Sequence, residues 1–209
     1  MHVLFVHGMG RSSVSGWPML RQFKKAGLKT STFDYVVSIQ RFDQIAARLA
    51  LQISSLTAQD EVVLIGHSLG GVLLRAAINA LPEGARPPQA LFLLGSPMHS
   101  AQLARRLGRS RVYRLLTGDC GQLLASPPRM AAVSSAPIPT MGFVGINGPR
   151  GKLSPFGDEL NDGVVSVTEV AADWMQDCVQ VSILHTLMPS SRQIAQMILQ
   201  KLAQQQPCA

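Results

Sequence analysis

Cysteine is scarce in this chain of 209 residues. There are three, Cys120, Cys178 and Cys208, an odd number with no Cys-x-x-Cys pair. That argues against a disulfide framework and weighs toward a reducing compartment. Aromatic residues are 5% and charged residues 15% of the chain, whereas apolar residues reach 46%. Disordered chains show the opposite balance, so the composition reads as globular. The length suits one domain, residues 1–209, able to bury a core without covalent staples.

Long apolar runs are missing too. The segment before Gly8 is short and has no basic leader, so it does not read as a secretory signal. Residues 130–149 carry no formal charge, but Pro137, Pro139, Pro149 and several Gly and Ser residues argue against a membrane-spanning helix. The expectation is a soluble, cytoplasmic protein. Acidic residues are the minority, 12 against 19 Lys and Arg, for a net charge of +7. Such an excess raises nucleic acid as a partner, yet it is unevenly placed. Between Ser96 and Ala136 six arginines, Arg105, Arg106, Arg109, Arg111, Arg114 and Arg129, face Asp119 alone, a surplus of five. Most of the basicity is therefore local. With no nucleic-acid motif beside it, no nucleic-acid partner is expected.

Short apolar strands alternate with helical patterns along the chain. Residues 2–6, 30–35, 62–65, 90–94, 139–146 and 178–183 read as strands. Helical spacing appears from Trp17 to Ala26, with Trp17, Leu20 and Phe23 on one face. It recurs from Phe42 to Leu56, from Leu69 to Pro82, and after Ser191, with the tail from Gln204 frayed. This alternation implies an α/β fold with a parallel sheet wrapped on both faces. It breaks at Ser96. From there to Ala136 the pattern predicts two short helices, Ser100 to Leu107 before Gly108 and Ser110 to Thr117 before Gly118, and then a looser Pro- and Ser-containing stretch. Residues 96–136 are thus a candidate insertion or lid.

The chemistry centres on Gly66-His67-Ser68-Leu69-Gly70. A serine flanked by glycines two residues away, between a buried strand and a helix, has the spacing of a strained nucleophile elbow. Side chains at Gly66 and Gly70 would collide with the helix and the neighbouring strand. A serine hydroxyl needs a base, and the base an orienting acid. Asp162 and His185 follow later strands, in the order Ser, Asp, His. Asp158, Asp173 and Asp177 compete for the acid role, because Asp162-Gly163 is also an ordinary turn signal.

These segments, with His7-Gly8-Met9-Gly10, Leu94-Gly95-Ser96-Pro97-Met98-His99-Ser100 and Asn161-Asp162-Gly163-Val164-Val165, resemble the alpha/beta-hydrolases, and more narrowly small bacterial lipases and esterases. The resemblance implies a minimal sheet of about six mostly parallel strands. It also implies Ser68 as nucleophile, His185 as base, Asp162 as acid, and the N–H groups of Met9 and Leu69 as the oxyanion hole. On this reading His7, His67 and His99 line the substrate site, and no metal or cofactor is needed. The substrate that the resemblance implies is a small-molecule or lipid ester. The arginine-rich segment, with Leu103, Leu107, Val112, Leu115 and Leu116, would rim the entrance and meet an anionic membrane surface. Two other readings keep the same residues: transfer of the acyl group to another acceptor (including thioester chemistry), and a hydrolase fold retained only as a binding module.

Overall fold

A computed structural model describes residues 1–152 and 154–205. Six strands form one sheet in the order β2-β1-β3-β4-β5-β6, every neighbouring pair parallel. They are β1 (His2–Val6), β2 (Lys29–Phe33), β3 (Val62–His67), β4 (Ala90–Leu94), β5 (Thr140–Gly145) and β6 (Asp177–Val181). Strands β3, β4 and β5 are buried at every position, as expected where helices cover both faces of a parallel sheet. The edge strands β2 (KTSTF) and β6 (DCVQV) are mostly half-buried or exposed.

Side chains alternate between the two faces with the two-residue period of a strand. Leu4, Val6, Leu64, Leu91 and Leu93 join one core with α2 (Phe42–Thr57) and α3 (Leu69–Asn79). Val3, Phe5, Val63, Ile65, Phe92 and Leu94 join a second core with α1 (Trp17–Lys25) and α8 (Arg192–Gln205). Between β4 and β5 lie α4 (Gln102–Leu107), α5 (Arg111–Ala125) and α6 (Pro127–Ala131), and α7 (Val167–Val170) precedes β6. The register sets Val6 opposite Gly66 and His67 opposite Leu94, so the carboxyl ends of these strands share one edge of the sheet.

Four expectations need correcting. Trp17 is not on the buried face of α1; the buried residues there are Met19, Leu20 and Phe23, and Trp17 is 61% exposed. Residues spaced by three drift about 60° per step around a helix, enough for the first to leave the stripe. Ser100 does not start α4. It is buried and accepts a hydrogen bond from Arg105, while the first helical N–H, that of Gln102, is taken by the Glu169 carboxylate. Gly118 does not end α5 but kinks it, at φ 53° and ψ −144°. The stretch expected to be looser is helical as far as Ala131 except at Ser126, because Cys120, Leu123, Leu124 and Met130 have a core to join, and residues 132–136 are without helix. Ser110 does cap α5, accepting from the Tyr113 N–H at 3.5 Å. Among the described residues Cys120 and Cys178 form no disulfide; Cys208 and the tail beyond Gln205 lie outside the described residues. Among the described residues no helix is long and apolar enough to cross a membrane.

Candidate active site

Between β3 and α3 the chain is forced into a backbone conformation that side chains disfavour. Ser68 has φ 53° and ψ −124°, and among the described residues it is the sole non-glycine at positive φ. Close packing on both sides holds it there. A Cβ at Gly66 would lie 2.6 Å from the Gly71 backbone nitrogen, and one at Gly70 would run into the carbonyls of Val6 and His7. The turn can be this tight only with glycine at both places. The Ser68 N–H donates to the Leu94 carbonyl at 2.9 Å, and Ser96 Oγ donates to the Ser68 carbonyl at 2.8 Å. Although Ser68 is the N-cap residue of α3, its hydroxyl makes no capping bond and has no partner among the described hydrogen bonds, at a half-buried position.

The loop after β1 leans on this serine. A Cβ at Gly8 would sit 3.0 Å from Ser68 Cβ and 2.9 Å from His67 Nδ1. Tyr35, just beyond β2, fixes the loop from behind. Its ring stacks on His7 at 4.3 Å and its hydroxyl donates to the His7 carbonyl at 2.6 Å. The backbone N–H groups of Met9 and Leu69 flank the contact between Gly8 and Ser68, and neither has a protein acceptor among the described hydrogen bonds. The positive end of the α3 dipole lies at the same place.

His185 opens a short 3-10 turn after β6, and Asp162 lies in the loop after β5. Their side chains meet at 2.6 Å, His185 Nδ1 to Asp162 Oδ2, with relative exposures of only 7% and 0%. The other carboxylate oxygen, Oδ1, accepts the N–H groups of Val164 at 2.9 Å and Val165 at 2.8 Å. The His185 N–H also donates to the Asp162 carbonyl at 3.0 Å. Both oxygens of this buried carboxylate therefore have a donor. Asp158, Asp173 and Asp177 are exposed. Gly95, at φ 54°, lies directly beneath the pair: a Cβ there would be 2.8 Å from His185 Nδ1 and 2.9 Å from Asp162 Oδ2.

The three histidines expected to line a pocket occupy different places. His7 and His67 are 3% and 2% exposed, so both sit behind the site surface rather than on it, held there by Tyr35 and by the His185 carbonyl. Burial is the main cause lowering both pKa values from the ordinary 6.5, well below it for His67, where His185 adds to the effect. His99 is exposed, on the wall of a cleft of about 680 Å³ that Arg75, Met98 and Trp174 also line. Arg75 is spent structurally: its guanidinium donates to the carbonyls of Pro97, Val133 and Ser134, and burial brings its pKa down to about 10. Among the described residues no group of three or more His, Cys, Asp or Glu is placed to share a metal.

Sequence reasoning passed over Tyr35 and the separate roles of Gly95 and Ser96. The available signal was position, since each follows the carboxyl end of a strand.

No protein-family model matches the sequence. Methylesterase 17 of Arabidopsis thaliana is 33% identical over 94 residues, a match covering 39% of this chain and about a third (33%) of that protein. Solved structures similar over most of this chain include two lipases or esterases and a methylesterase. The mature form of the Bacillus licheniformis lipase BlEst2 has a TM-score of 0.67 at 20% identity, covering 96% of this chain and 90% of that one. The Arabidopsis methylesterase MES16 has a TM-score of 0.64 at 16% identity, covering 97% and 99%. The metagenomic carboxyl esterase MGS0156 has a TM-score of 0.66 at 18% identity, covering 88% and 64%. The chain has the alpha/beta-hydrolase fold, in a minimal form with six parallel strands.

Proposed function

We propose that the chain hydrolyses carboxylic esters through an acyl-enzyme on Ser68. The observation that carries this reading is the buried 2.6 Å contact between His185 and Asp162, at the same sheet edge as a serine strained to positive φ. Ser68 Oγ attacks the ester carbonyl while His185 Nε2 takes its proton. Asp162 holds Nδ1–H, which fixes the tautomer and stabilises the imidazolium. The unpartnered N–H groups of Met9 and Leu69 receive the oxyanion, and the α3 dipole favours the charge. His185 returns the proton to the leaving alcohol, then activates the water that clears the acyl group. His7 and His67 shape the loops around Ser68 from behind. His99 stands on the open cleft beside α3, where it can meet an extended substrate.

The ester in this reading is a small molecule or a lipid, and residues 96–136 are an insertion between β4 and β5. The catalytic reading is tested with a fluorophosphonate probe and a series of p-nitrophenyl esters. Wild-type chain should be labelled on Ser68 and turn over ester, and Ser68→Ala should lose both. Labelling at another residue would sink the assignment. Raised product formation on adding alcohol or thiol acceptors would show transfer in place of hydrolysis.

A further inference from the structure

The proposed chemistry leaves one exposed surface unexplained. Val112, Leu115 and Leu116 on α5 are 65%, 77% and 64% exposed, and Leu107 at the end of α4 is 43% exposed. Single exposed apolar residues are ordinary on a protein surface. Here three occupy positions i, i+3 and i+4, so they form one continuous stripe on a helix that turns it away from the core. Arg105, Arg106, Arg109, Arg111 and Arg114 are exposed around the stripe, and no acidic residue occurs between Ser100 and Gly118. Three of these arginines, Arg105, Arg106 and Arg109, line a cleft of about 430 Å³ with Gln102.

The same helix is built quite differently on the other side of Gly118. Beyond that kink Cys120, Leu123 and Leu124 are buried, and Asp119 accepts the Phe42 N–H at 2.9 Å and pairs with Arg129 at 2.9 Å. The kinked glycine packs against the Val37 carbonyl, with no room for a side chain. On that loop Ile39 is 81% and Val36 is 52% exposed, adding to the apolar surface. The loop also carries Tyr35, which holds the His7 carbonyl. One half of α5 is thus anchored, and the other projects with its apolar stripe and arginines.

We infer that α4, the projecting half of α5 and the Ile39 loop form a docking surface for an anionic phospholipid bilayer. The aliphatic side chains would enter the headgroup region while the arginines pair with lipid phosphates. Charge complementarity selects the partner's sign. The aliphatic stripe selects a bilayer over a nucleic acid, whose charged backbone offers no apolar layer for it to enter. The inference rests on the ester-hydrolase reading for what the docked chain does, and on the surface alone for the docking.

The test is co-sedimentation of the full chain with vesicles of phosphatidylcholine alone and of phosphatidylcholine mixed with phosphatidylglycerol. Binding should require phosphatidylglycerol and weaken with added salt. Leu115→Ser with Leu116→Ser, and separately Arg109→Gln with Arg111→Gln and Arg114→Gln, should each weaken binding by roughly tenfold or more. Both variants should keep the melting temperature and the turnover of a short soluble ester. Absence of wild-type binding to the anionic vesicles overturns the inference, as does binding that neither variant weakens. So does binding that needs the arginines but not the leucines, which would point to an acidic macromolecule. Sedimentation does not depend on catalysis, so a failure of ester turnover counts against the hydrolase reading alone.

Discussion

The imidazole of His67 holds the backbone of His185. His67 Nε2 lies 3.1 Å from the His185 carbonyl, and the two rings are 4.7 Å apart, tilted by 43°. A carbonyl can only accept, so Nε2 carries the proton. Nδ1 is then a bare lone pair, buried and unpartnered among the described residues. The residue before the proposed nucleophile therefore orients the loop of the proposed base.

Replacing His67 separates this orienting role from bulk. His67→Gln can keep a donor toward the His185 carbonyl, whereas His67→Leu cannot. Leu should lower kcat for ester hydrolysis by about tenfold or more with little change in KM, and Gln should recover most of that loss. Equal kcat in the two variants, after correction for folded fraction, would refute an orienting role.

The same burial makes the fold sensitive to acid. His67 and His7 have pKa values below 6.5 in the folded chain, chiefly because burial disfavours the imidazolium. Unfolded, both titrate near 6.5, so just below that pH the unfolded chain binds more protons. Their contribution is fully present above about pH 6.5 and is lost as the pH falls, at up to about 1.4 kcal/mol per pH unit for each group. Urea unfolding should show stability falling from about pH 6.5 toward pH 5, with a shallower fall in His67→Gln. A wild-type profile that is flat over this range would contradict the neutral, buried state of His67.

Asp162 can be tested without emptying its site. In Asp162→Asn the amide oxygen should stay on the Val164 and Val165 N–H groups that now bind Oδ1, which turns the amide NH2 toward His185 Nδ1. His185 must then protonate Nε2, the tautomer that cannot accept from Ser68. The expected outcome is a loss of about 10⁴-fold in kcat with the fold intact. Steady-state kinetics with circular dichroism reads both, and near-normal turnover would remove Asp162 from the mechanism.

Gly95→Ala should also act through the pair. The position has φ 54°, and an added Cβ would press on both His185 Nδ1 and Asp162 Oδ2. Backbone strain of about 1–3 kcal/mol is expected from the conformation alone. Ester turnover per folded molecule should also fall, because His185 and Asp162 must move apart. A variant with lowered melting temperature but unchanged kcat would show that the pair tolerates the displacement.

Much of the frame was legible in local sequence. Strands β3 and β4 are continuous apolar runs, α2 repeats its buried residues at helical spacing, and Gly66 and Gly70 bracket Ser68 where a sharp turn was expected. Local signals misled where tertiary packing opposed them. Gly118 reads as a helix stop, but burial of Leu123 and Leu124 outweighs it and the helix continues beyond a kink. Ser100 reads as a helix cap, but Glu169, distant in sequence, takes that place.

Periodicity and glycine spacing alone determined an alternating α/β chain and a strained serine between the third strand and its helix, because each depends on residues within a turn or a strand of one another. Only the tertiary structure decided which aspartate meets His185 across 23 residues, and that His67 reaches its carbonyl across 118. It also decided that the arginines of α4, α5 and the link between them share an exposed surface with an apolar stripe. Contacts of that kind depend on strand register and on how the loops at the carboxyl edge close over one another, which no local pattern encodes.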